Sequence, residues 1–181
     1  KNLAQLGQLV SPHSYRILKK DCLDLPDKVY TKREIELTDE QHKAYSEMKA
    51  NAITILKDKS MTAVNVLTQL IRLHQITCGH MKTDDDEVIE LKNNRLTELM
   101  QILGETTGKV IIWANYINDI KAIEKAVKEE FGKESYCTYY GATAQEDRQA
   151  CITKFQDENN PIRFFIGNTQ TGGYGITLTQ A

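Results

Sequence analysis

A glycine-rich segment near the end of the chain holds the residues best suited to binding an anion. Gly172, Gly173 and Gly175 follow an apolar run, 164–166, whose β-favouring side chains predict a buried strand. Because glycine has no Cβ, a phosphate can come close to the backbone N–H groups of such a segment. A buried strand that leads into a loop of this kind often forms a nucleotide site at the carboxyl edge of an α/β sheet. A tight turn before an edge strand explains the same glycines, and the segment alone leaves both interpretations open.

The composition bounds the size and charge of the protein. The chain has 181 residues, of which 40% are hydrophobic, enough for one domain with a real core and a small appendage. The net charge is −2, so any attraction to nucleic-acid phosphate must be local. Basic residues outnumber acidic ones in 1–33, whereas 84–87 is an acidic run that we expect to be an exposed loop.

Targeting signals are not evident in the sequence. No apolar run is long enough to cross a membrane, and no signal-peptide pattern occurs. We therefore expect no membrane partner and no secretion. The location would be the cytoplasm of a bacterium or a phage-infected cell, or the nucleus of a eukaryote. Because the chain begins at Lys1 without a methionine, we expect it to be part of a longer protein.

The four cysteines do not form a metal or disulfide signature. Cys22, Cys78, Cys137 and Cys151 are widely scattered, with no CxxC pair. His74 and His80 flank Cys78, but such a group at a helix end is a poor zinc pattern. We therefore predict no metal site and expect reduced thiols, mostly packed in the interior.

The first half of the chain has mainly helical periodicity. Thr38 and Gln41 have the spacing of a capping box that begins a helix, and Gly79 is suited to end one. Residues 57–60 are predicted to interrupt this stretch, which gives two helices, and the apolar stripe 67–76 is interpreted as core. Alternation over 29–37 predicts a short strand that is exposed on one face.

The second half alternates between strand and helix patterns. The predicted helices are 91–103, 117–131 and 143–155, and the predicted strands are 109–114, 136–140 and a third after Pro161. This order predicts an α/β fold with a parallel sheet. Trp113 is interpreted as core, and Asp147 and Arg148 are expected on the outer side of their helix.

Three segments of the first half carry specific motifs. Residues 15–28 resemble a basic "R-x-x-K…LP-x-K" link, 37–45 resemble the helix start "L-x-x-x-Q-x-x-x-Y", and 70–80 resemble the helix "LR-x-x-Q-I-C-x-H". Three segments of the second half follow in the same family's order. They are 109–114 (motif IV, "KVLIFS"), 140–149 ("DGST…ERQ") and 165–178 (motif V, "LLST-x-AGG-x-GLNL"). Together they make the chain resemble the second RecA-like lobe of a Swi/Snf-type ATP-dependent DNA translocase, within the superfamily-two helicases.

The resemblance implies a RecA-like parallel sheet with flanking helices, preceded by a mainly helical family-specific segment. It divides the chain into an inter-lobe linker and short strand (1–37), a helical insertion with the acidic loop (38–90), and an incomplete helicase C-terminal lobe (91–181). In such motors ATP binds between two lobes, and duplex DNA runs across one face of both. The implied partners are therefore duplex DNA, through its backbone, and a first lobe. ATP and magnesium are implied for the intact two-lobe protein, with none held tightly by this chain.

The resemblance also assigns candidate site residues. The nucleotide-binding candidates are Gly172, Gly173 and Gly175. The DNA-binding candidates are Asn115, Tyr116, Gly141, Arg148, Thr169 and Thr171. Between the lobes the candidates are Arg16, Lys19 and Lys20. Plainer alternatives are a tight turn for the three glycines, a local turn bond for the threonines, packing for Tyr116, and a solvated surface for Arg148 and the basic residues of 16–20.

Departures from the family pattern leave other functions open. Trp113, Ala114, Asn168, Thr171 and Thr177 replace the usual Phe, Ser, Ser, Ala and Asn. No P-loop and no Asp-Glu-x-His box occur, and the chain stops before motif VI, whose arginine would reach the γ-phosphate. We therefore expect no ATP hydrolysis by this chain alone. The alternatives are a non-catalytic interaction module derived from a helicase lobe and, less favoured, a nucleotide-sugar transferase lobe.

Overall fold

A computed structural model provides the fold, in two compact units, Lys1–Glu34 and Ile35–Ala181. It describes all residues except 1, 16, 19–21, 23, 25–26, 58–62, 84 and 86, and for 54–57 and 63–64 it describes the backbone alone. Over the described residues, no helix is both long and apolar enough to span a bilayer. The inter-lobe candidates Arg16, Lys19 and Lys20 lie outside the described residues.

The first unit begins with a short amphipathic helix. Helix α1, Leu3–Val10, begins at Asn2, whose side chain accepts a hydrogen bond from the Gln5 amide, and a short 3-10 helix, Ser11–His13, follows it. The predicted strand over 29–37 is wrong: these residues form neither helix nor strand, and most are exposed. Alternation of side chains cannot stabilise a strand unless another strand completes its backbone hydrogen bonds.

The predicted helix pair opens the second unit. Helix α2 spans Asp39–Lys57 and helix α3 spans Ala63–Cys78, and residues 58–62 between them are not described. The capping box is confirmed, because the Gln41 amide donates to Thr38 Oγ1 (3.3 Å) and the Thr38 amide donates to Gln41 Oε1 (3.1 Å). Gly79 ends α3 with φ +94°, a value that favours glycine.

The core interpretation of the 67–76 stripe holds only at its end. Ile76 is fully buried, whereas Leu67 and Leu70 are each 58% exposed and Ile71 is 42% exposed. The reason is that α3 packs on α2 and on the strand that follows, which leaves one side of its broad apolar surface open.

A β-hairpin that the sequence did not predict follows α3. Strand β1, His80–Lys82, pairs antiparallel with strand β2, Val88–Glu90. The acidic run lies between these strands, and its described members, Asp85 and Glu87, are exposed as expected. Helix α4 spans Asn94–Glu105 rather than beginning at Leu91, because the Asn93 side chain accepts a hydrogen bond from the Leu96 amide and so caps the helix there.

A three-stranded parallel sheet forms the centre of the second unit. Strands β3 (Val110–Ala114), β4 (Tyr136–Tyr139) and β5 (Phe164–Asn168) lie in the order β3–β5–β4. Helix α5, Ile117–Phe131, connects β3 to β4 through a 3-10 helix, Lys133–Ser135, and helix α6, Gln145–Gln156, connects β4 to β5. This confirms the predicted α/β class and its order of elements.

The two faces of the sheet are covered by different helices. On one face Phe164, Ile166 and Ile112 pack against Leu103 of α4 and against the inner side of α5. On the other face Phe165 packs against α6, chiefly Phe155 and Cys151. Trp113 lies on this second face and is 42% exposed, so its interpretation as core is wrong. The helix on that face packs on β4 and β5.

The cysteines also differ from the prediction. The structure joins Cys137 of β4 to Cys151 of α6 by a disulfide across the second face of the sheet, where reduced thiols were expected. Among the described residues, neither Cys22 nor Cys78 is joined in a disulfide. Because spacing in sequence does not report distance in space, a helix that packs on its own preceding strand brought together two cysteines with no recognisable motif.

Candidate nucleotide and nucleic-acid interface

Parallel pairing brings the ends of three strands to one edge of the sheet. Ala114 pairs with Asn168, and Tyr139 pairs with Gly167, so β3, β4 and β5 end at nearly the same level. The residues that follow them, Asn115, Tyr140 and Thr169, begin the connections above that edge. In open α/β sheets this carboxyl edge is where ligands bind.

Asn168 ties two of these strand ends together. It is buried, with 8% of its surface exposed, and its Nδ2 atom donates to the carbonyls of Ala114 (3.1 Å) and Asn115 (2.9 Å). Its Oδ1 atom accepts from the Gln170 amide at 2.9 Å. The Thr169 hydroxyl donates to Asn115 Oδ1 at 3.1 Å. Two of the DNA-binding candidates, Asn115 and Thr169, are therefore in direct contact.

Asn168 was noted in the sequence only as a departure from the family pattern. Its position after an apolar strand and before a predicted loop is typical of a helix N-cap, and this was the signal that could have identified it. The structure shows that it caps helix α7, Thr169–Gly172, a single helical turn in place of an irregular loop.

The three candidate glycines are required for three different reasons. A Cβ at Gly172 would lie 2.7 Å from Trp113 ring atoms, and a Cβ at Gly173 would lie 2.5 Å from the Thr169 carbonyl oxygen. Gly175 has open space around it but a φ of +78°, which favours glycine. The Gly173 amide donates to the Thr169 carbonyl at 2.9 Å, so this amide is occupied by the turn itself.

The candidate residues of the glycine segment, 169–175, differ in their exposure to solvent. Thr169, Gly173 and Gly175 are exposed, Thr171 is half-buried, and Gly172 is buried. Tyr174 is 90% exposed, so the outer side of the segment is open to a ligand. A polyanion can approach this backbone from solvent, but no lysine or arginine occurs in 164–181. The residues present therefore fit one wall of a nucleotide site and do not form a complete phosphate cradle.

Arg148 is not on the outer side of its helix. Its Nη2 atom donates to the carbonyls of Tyr140 (3.0 Å) and Gly141 (2.9 Å), and its guanidinium lies 5.8 Å from the Tyr139 ring centre. The Nε atom is buried, with no partner among the described residues. The side chain thus connects α6 back to the end of β4 and holds Gly141, the exposed DNA-binding candidate of that loop.

Tyr116 links the edge of the sheet to helix α3. Its hydroxyl lies 2.8 Å from His74 Nδ1, and its ring meets that of His80 edge-on at 5.1 Å. His80 is almost fully buried, and its Nδ1 atom lies 3.2 Å from Asp119 Oδ1 near the start of α5. The sequence placed His74 and His80 near each other but did not indicate that Tyr116 and Asp119 would join them.

Two ionisable groups in this cluster have shifted pKa values. Burial, with the Asp119 carboxylate as a second cause, raises the pKa of the Cys78 thiol, and the nearby Arg95 guanidinium partly opposes the shift. Burial likewise raises the pKa of Tyr116, followed by the effects of Cys78 and Asp119. Both groups are neutral near pH 7 at their ordinary pKa values of 9.0 and 10.0, and the upward shifts extend that neutral range to higher pH. Among the described residues, no group of three His, Cys, Asp or Glu side chains is arranged to hold a metal.

The family follows from comparison with known proteins. A family model described as "Helicase conserved C-terminal domain" matches residues 91–181, the part that contains the sheet and every described site candidate. The chain belongs to this family. The short β5–α7 segment and its glycines are thus part of a helicase C-terminal domain, and the nucleotide-sugar transferase alternative is not supported.

Curated relatives include an ATP-dependent helicase and a chromatin-remodelling protein. The chain is 29% identical over 194 residues to the putative ATP-dependent helicase/translocase YwqA of Bacillus subtilis, covering 100% of this chain and 20% of that protein. It is 26% identical over 199 residues to the protein CHROMATIN REMODELING 4 of Arabidopsis thaliana, covering 100% of this chain and 9% of that protein. The chain thus spans a fifth or less of the length of these curated relatives.

Solved structures agree with this assignment. The SWI2/SNF2 ATPase core of Sulfolobus solfataricus in complex with dsDNA matches with a TM-score of 0.65 and 27% identity, covering 98% of this chain and 39% of that one. The C-terminal domain of the same ATPase matches with a TM-score of 0.63 and 25% identity, covering 81% of this chain and 66% of that one. The parallel sheet and its helices therefore match the RecA-like C-terminal lobe of this SWI2/SNF2 ATPase.

Proposed function

We propose that this helicase C-terminal domain works as the second lobe of an ATP-driven translocase on double-stranded DNA. The observation that carries the proposal is the similarity, over 98% of the chain, to an ATPase core whose structure contains dsDNA. The physical arrangement supports it, because the ends of three parallel strands and an exposed glycine segment share one edge. Movement would come from closure of two lobes on ATP and their opening after hydrolysis.

The proposal gives the glycine segment the nucleotide side of this edge. Gly173 and Gly175 expose backbone that ATP can approach, and Gly172 is buried beneath them. ATP would supply the reactive phosphates, and the P-loop and magnesium ligands would come from the other lobe. This chain would contribute the wall that closes on the nucleotide, and Arg16, Lys19 and Lys20 would lie in the link between lobes.

The proposal gives the DNA backbone the neighbouring side chains. Thr169 and Asn115 are held together by a hydrogen bond, so a shift of the glycine turn would move both. Thr171 follows within the same turn. Arg148 would act by holding Gly141 toward the DNA, since its Nη2 atom is bonded to the loop carbonyls. Tyr116 would lie beside the DNA without using its hydroxyl, which is bonded to His74. Such contacts position a duplex without reading its sequence.

The location of the protein would follow from its substrate. A motor on duplex DNA works in the cytoplasm of a bacterium or a phage-infected cell, or in the nucleus of a eukaryote.

The test uses the intact two-lobe protein, with this chain in its second lobe, and measures ATP hydrolysis with and without duplex DNA. We expect DNA to stimulate hydrolysis, and added salt to weaken the stimulation as phosphate contacts are lost. Gly173→Val should abolish the stimulation, because its side chain would collide with the Thr169 carbonyl. Gly104→Val is the matched control, since a Cβ there meets nothing within 4 Å.

Two outcomes would contradict the proposal. One is a folded two-lobe protein whose hydrolysis is unaffected by duplex DNA. The other is a Gly173→Val variant that keeps full DNA-stimulated hydrolysis. A protein that shows no hydrolysis but still captures a protein partner would instead be a non-catalytic interaction module.

A further inference from the structure

Trp113 is partly buried in the sheet and partly exposed beside the glycine turn. It is the only tryptophan of the chain, lies near the carboxyl end of β3, and is 42% exposed. Its Cα partner in the sheet is Gly167, and its ring meets that of Phe165 edge-on at 5.9 Å. Half of the indole is therefore buried against β5, while the rest reaches toward the glycine turn.

The indole takes the space that side chains at two glycines would need. A Cβ at Gly167 would lie 2.6 Å from Trp113 Cζ3, and a Cβ at Gly172 would lie 2.7 Å from both Cζ3 and Cη2. Contacts this short are not tolerated in a packed interior, where even one extra methyl group forces neighbours to move. The same edge of the same ring thus faces Gly167 in the sheet and Gly172 in the turn above it.

We propose that Trp113 is a positioning residue that sets the place of the Gly172–Gly175 segment above the sheet, with Gly167 and Gly172 complementing the volume of its ring. The four-residue helix α7 is too short to be stable alone. The Asn168 cap holds one end of it, and the indole supports the other end from below. The consequence for turnover rests on the proposed function, whereas the steric complementarity does not.

The first experiment tests complementarity in the 181-residue chain by urea unfolding. Gly172→Ala should reduce the folding equilibrium constant about tenfold, as expected for overpacking. Trp113→Phe removes the atoms that collide with residue 172. The double variant, which carries both Gly172→Ala and Trp113→Phe, should therefore lose less stability than independent effects predict. Its folding equilibrium constant should be larger than the value obtained by multiplying the two single-variant reductions. Gly104→Ala is the control, because the same change in open space on α4 should not reduce stability.

Tryptophan emission provides a second measurement on the same chain. Because Trp113 is the only tryptophan, its quenching by acrylamide reports how closely the turn covers the ring. Gly172→Ala should increase the quenching while Gly104→Ala leaves it unchanged. The inference would be overturned if the reductions in the folding equilibrium constant simply multiply in the double variant. It would also be overturned if a folded Gly172→Ala chain shows the same acrylamide quenching as the unchanged chain. If Gly172→Ala alone fails to fold, a folded double variant supports the inference, and an unfolded double variant beside a folded Trp113→Phe chain overturns it.

The last experiment uses the two-lobe protein and separates this inference from the proposed function. DNA-stimulated ATP turnover should fall about tenfold in Gly172→Ala and recover by at least half in the double variant. An active wild-type protein without such recovery would refute the positioning role. A wild-type protein without any DNA stimulation would refute the proposed function instead, and the unfolding experiment would still decide whether Trp113 complements the two glycines.

Discussion

Replacing Asn168 by alanine removes the link between two strand ends. Three hydrogen bonds are lost, from the Nδ2 atom to the Ala114 and Asn115 carbonyls and from the Gln170 amide to Oδ1. Ala114 is buried, with 7% exposed, so its carbonyl has little access to water as a replacement partner. Asn115 is exposed, and its carbonyl can be hydrated. The loss at Ala114 should therefore dominate.

The expected loss can be estimated from these three contacts. A buried carbonyl left without its donor costs about 1–3 kcal/mol, and a lost N-cap costs about 1 kcal/mol. The hydrated Asn115 carbonyl adds roughly 0.5 kcal/mol. We expect Asn168→Ala to lower the free energy of unfolding by about 3 kcal/mol, a large part of the roughly 5–15 kcal/mol typical of a domain.

Urea unfolding measures this effect, with Trp113 fluorescence reporting on the unit that contains the sheet. A loss of about 3 kcal/mol should lower the midpoint by roughly 1–2 M urea. Asn168→Ser, which keeps a cap acceptor and one donor, should lose about half as much. Asn51→Ala is the matched control, because Asn51 is an exposed residue inside α2, where alanine favours helix. A loss below about 1 kcal/mol for Asn168→Ala, or one equal to the control, would refute the reasoning.

Three further predictions concern other parts of the second unit. Gln41→Leu should lower the free energy of unfolding by about 2 kcal/mol, because the buried Gln41 side chain is hydrogen-bonded to the Thr38 amide and the Ile76 carbonyl. Thermal unfolding measures the loss, and Gln101→Leu, at an exposed position, is the control. Equal melting temperatures for the two variants would contradict the prediction. Because the pKa of Cys78 is raised in the folded protein, this thiol loses its proton at lower pH in the unfolded chain, and the free energy of unfolding should fall as the pH rises above the ordinary pKa of 9.0. Urea unfolding measured from pH 8 to 10 should show a smaller fall for Cys78→Ser than for the unchanged protein. The same dependence on pH in both proteins would refute this prediction. Thiol titration of the denatured chain, purified without reductant, should find two reactive thiols of four; four would rule out the disulfide.

The sequence predicted most of the elements whose signals are local. The capping box at Thr38 and Gln41, the glycine that ends α3 and the helix Ile117–Phe131 were each confirmed, because such signals act within a turn or two of chain. The predicted strand at 29–37 failed because a strand needs a partner. The hairpin of β1 and β2 was missed for a related reason, because each of these three-residue strands is defined by its pairing with the other and not by a pattern of its own.

The candidate site was predicted unevenly for a related reason. Residue types and family motifs placed Asn115, Thr169 and the glycines at one sheet edge, and parallel pairing brought the first two into contact. They did not indicate that Arg148 turns back onto the β4 loop, or that the Tyr116 hydroxyl is bonded to His74. Both contacts join residues from different elements, and the packing of helices decides them.

The sequence by itself determined the α/β class, the order of the elements and the family motifs, since periodicity, caps and glycines follow from backbone geometry over short distances. Only the tertiary structure decided which apolar and polar side chains are covered. It exposed half of Trp113 beneath the glycine turn, left Leu67 in solvent and buried Asn168 with three partners. Burial depends on which helices and strands pack together. The same packing decides whether a buried polar side chain finds hydrogen-bond partners, and so whether its burial lowers the stability of the fold.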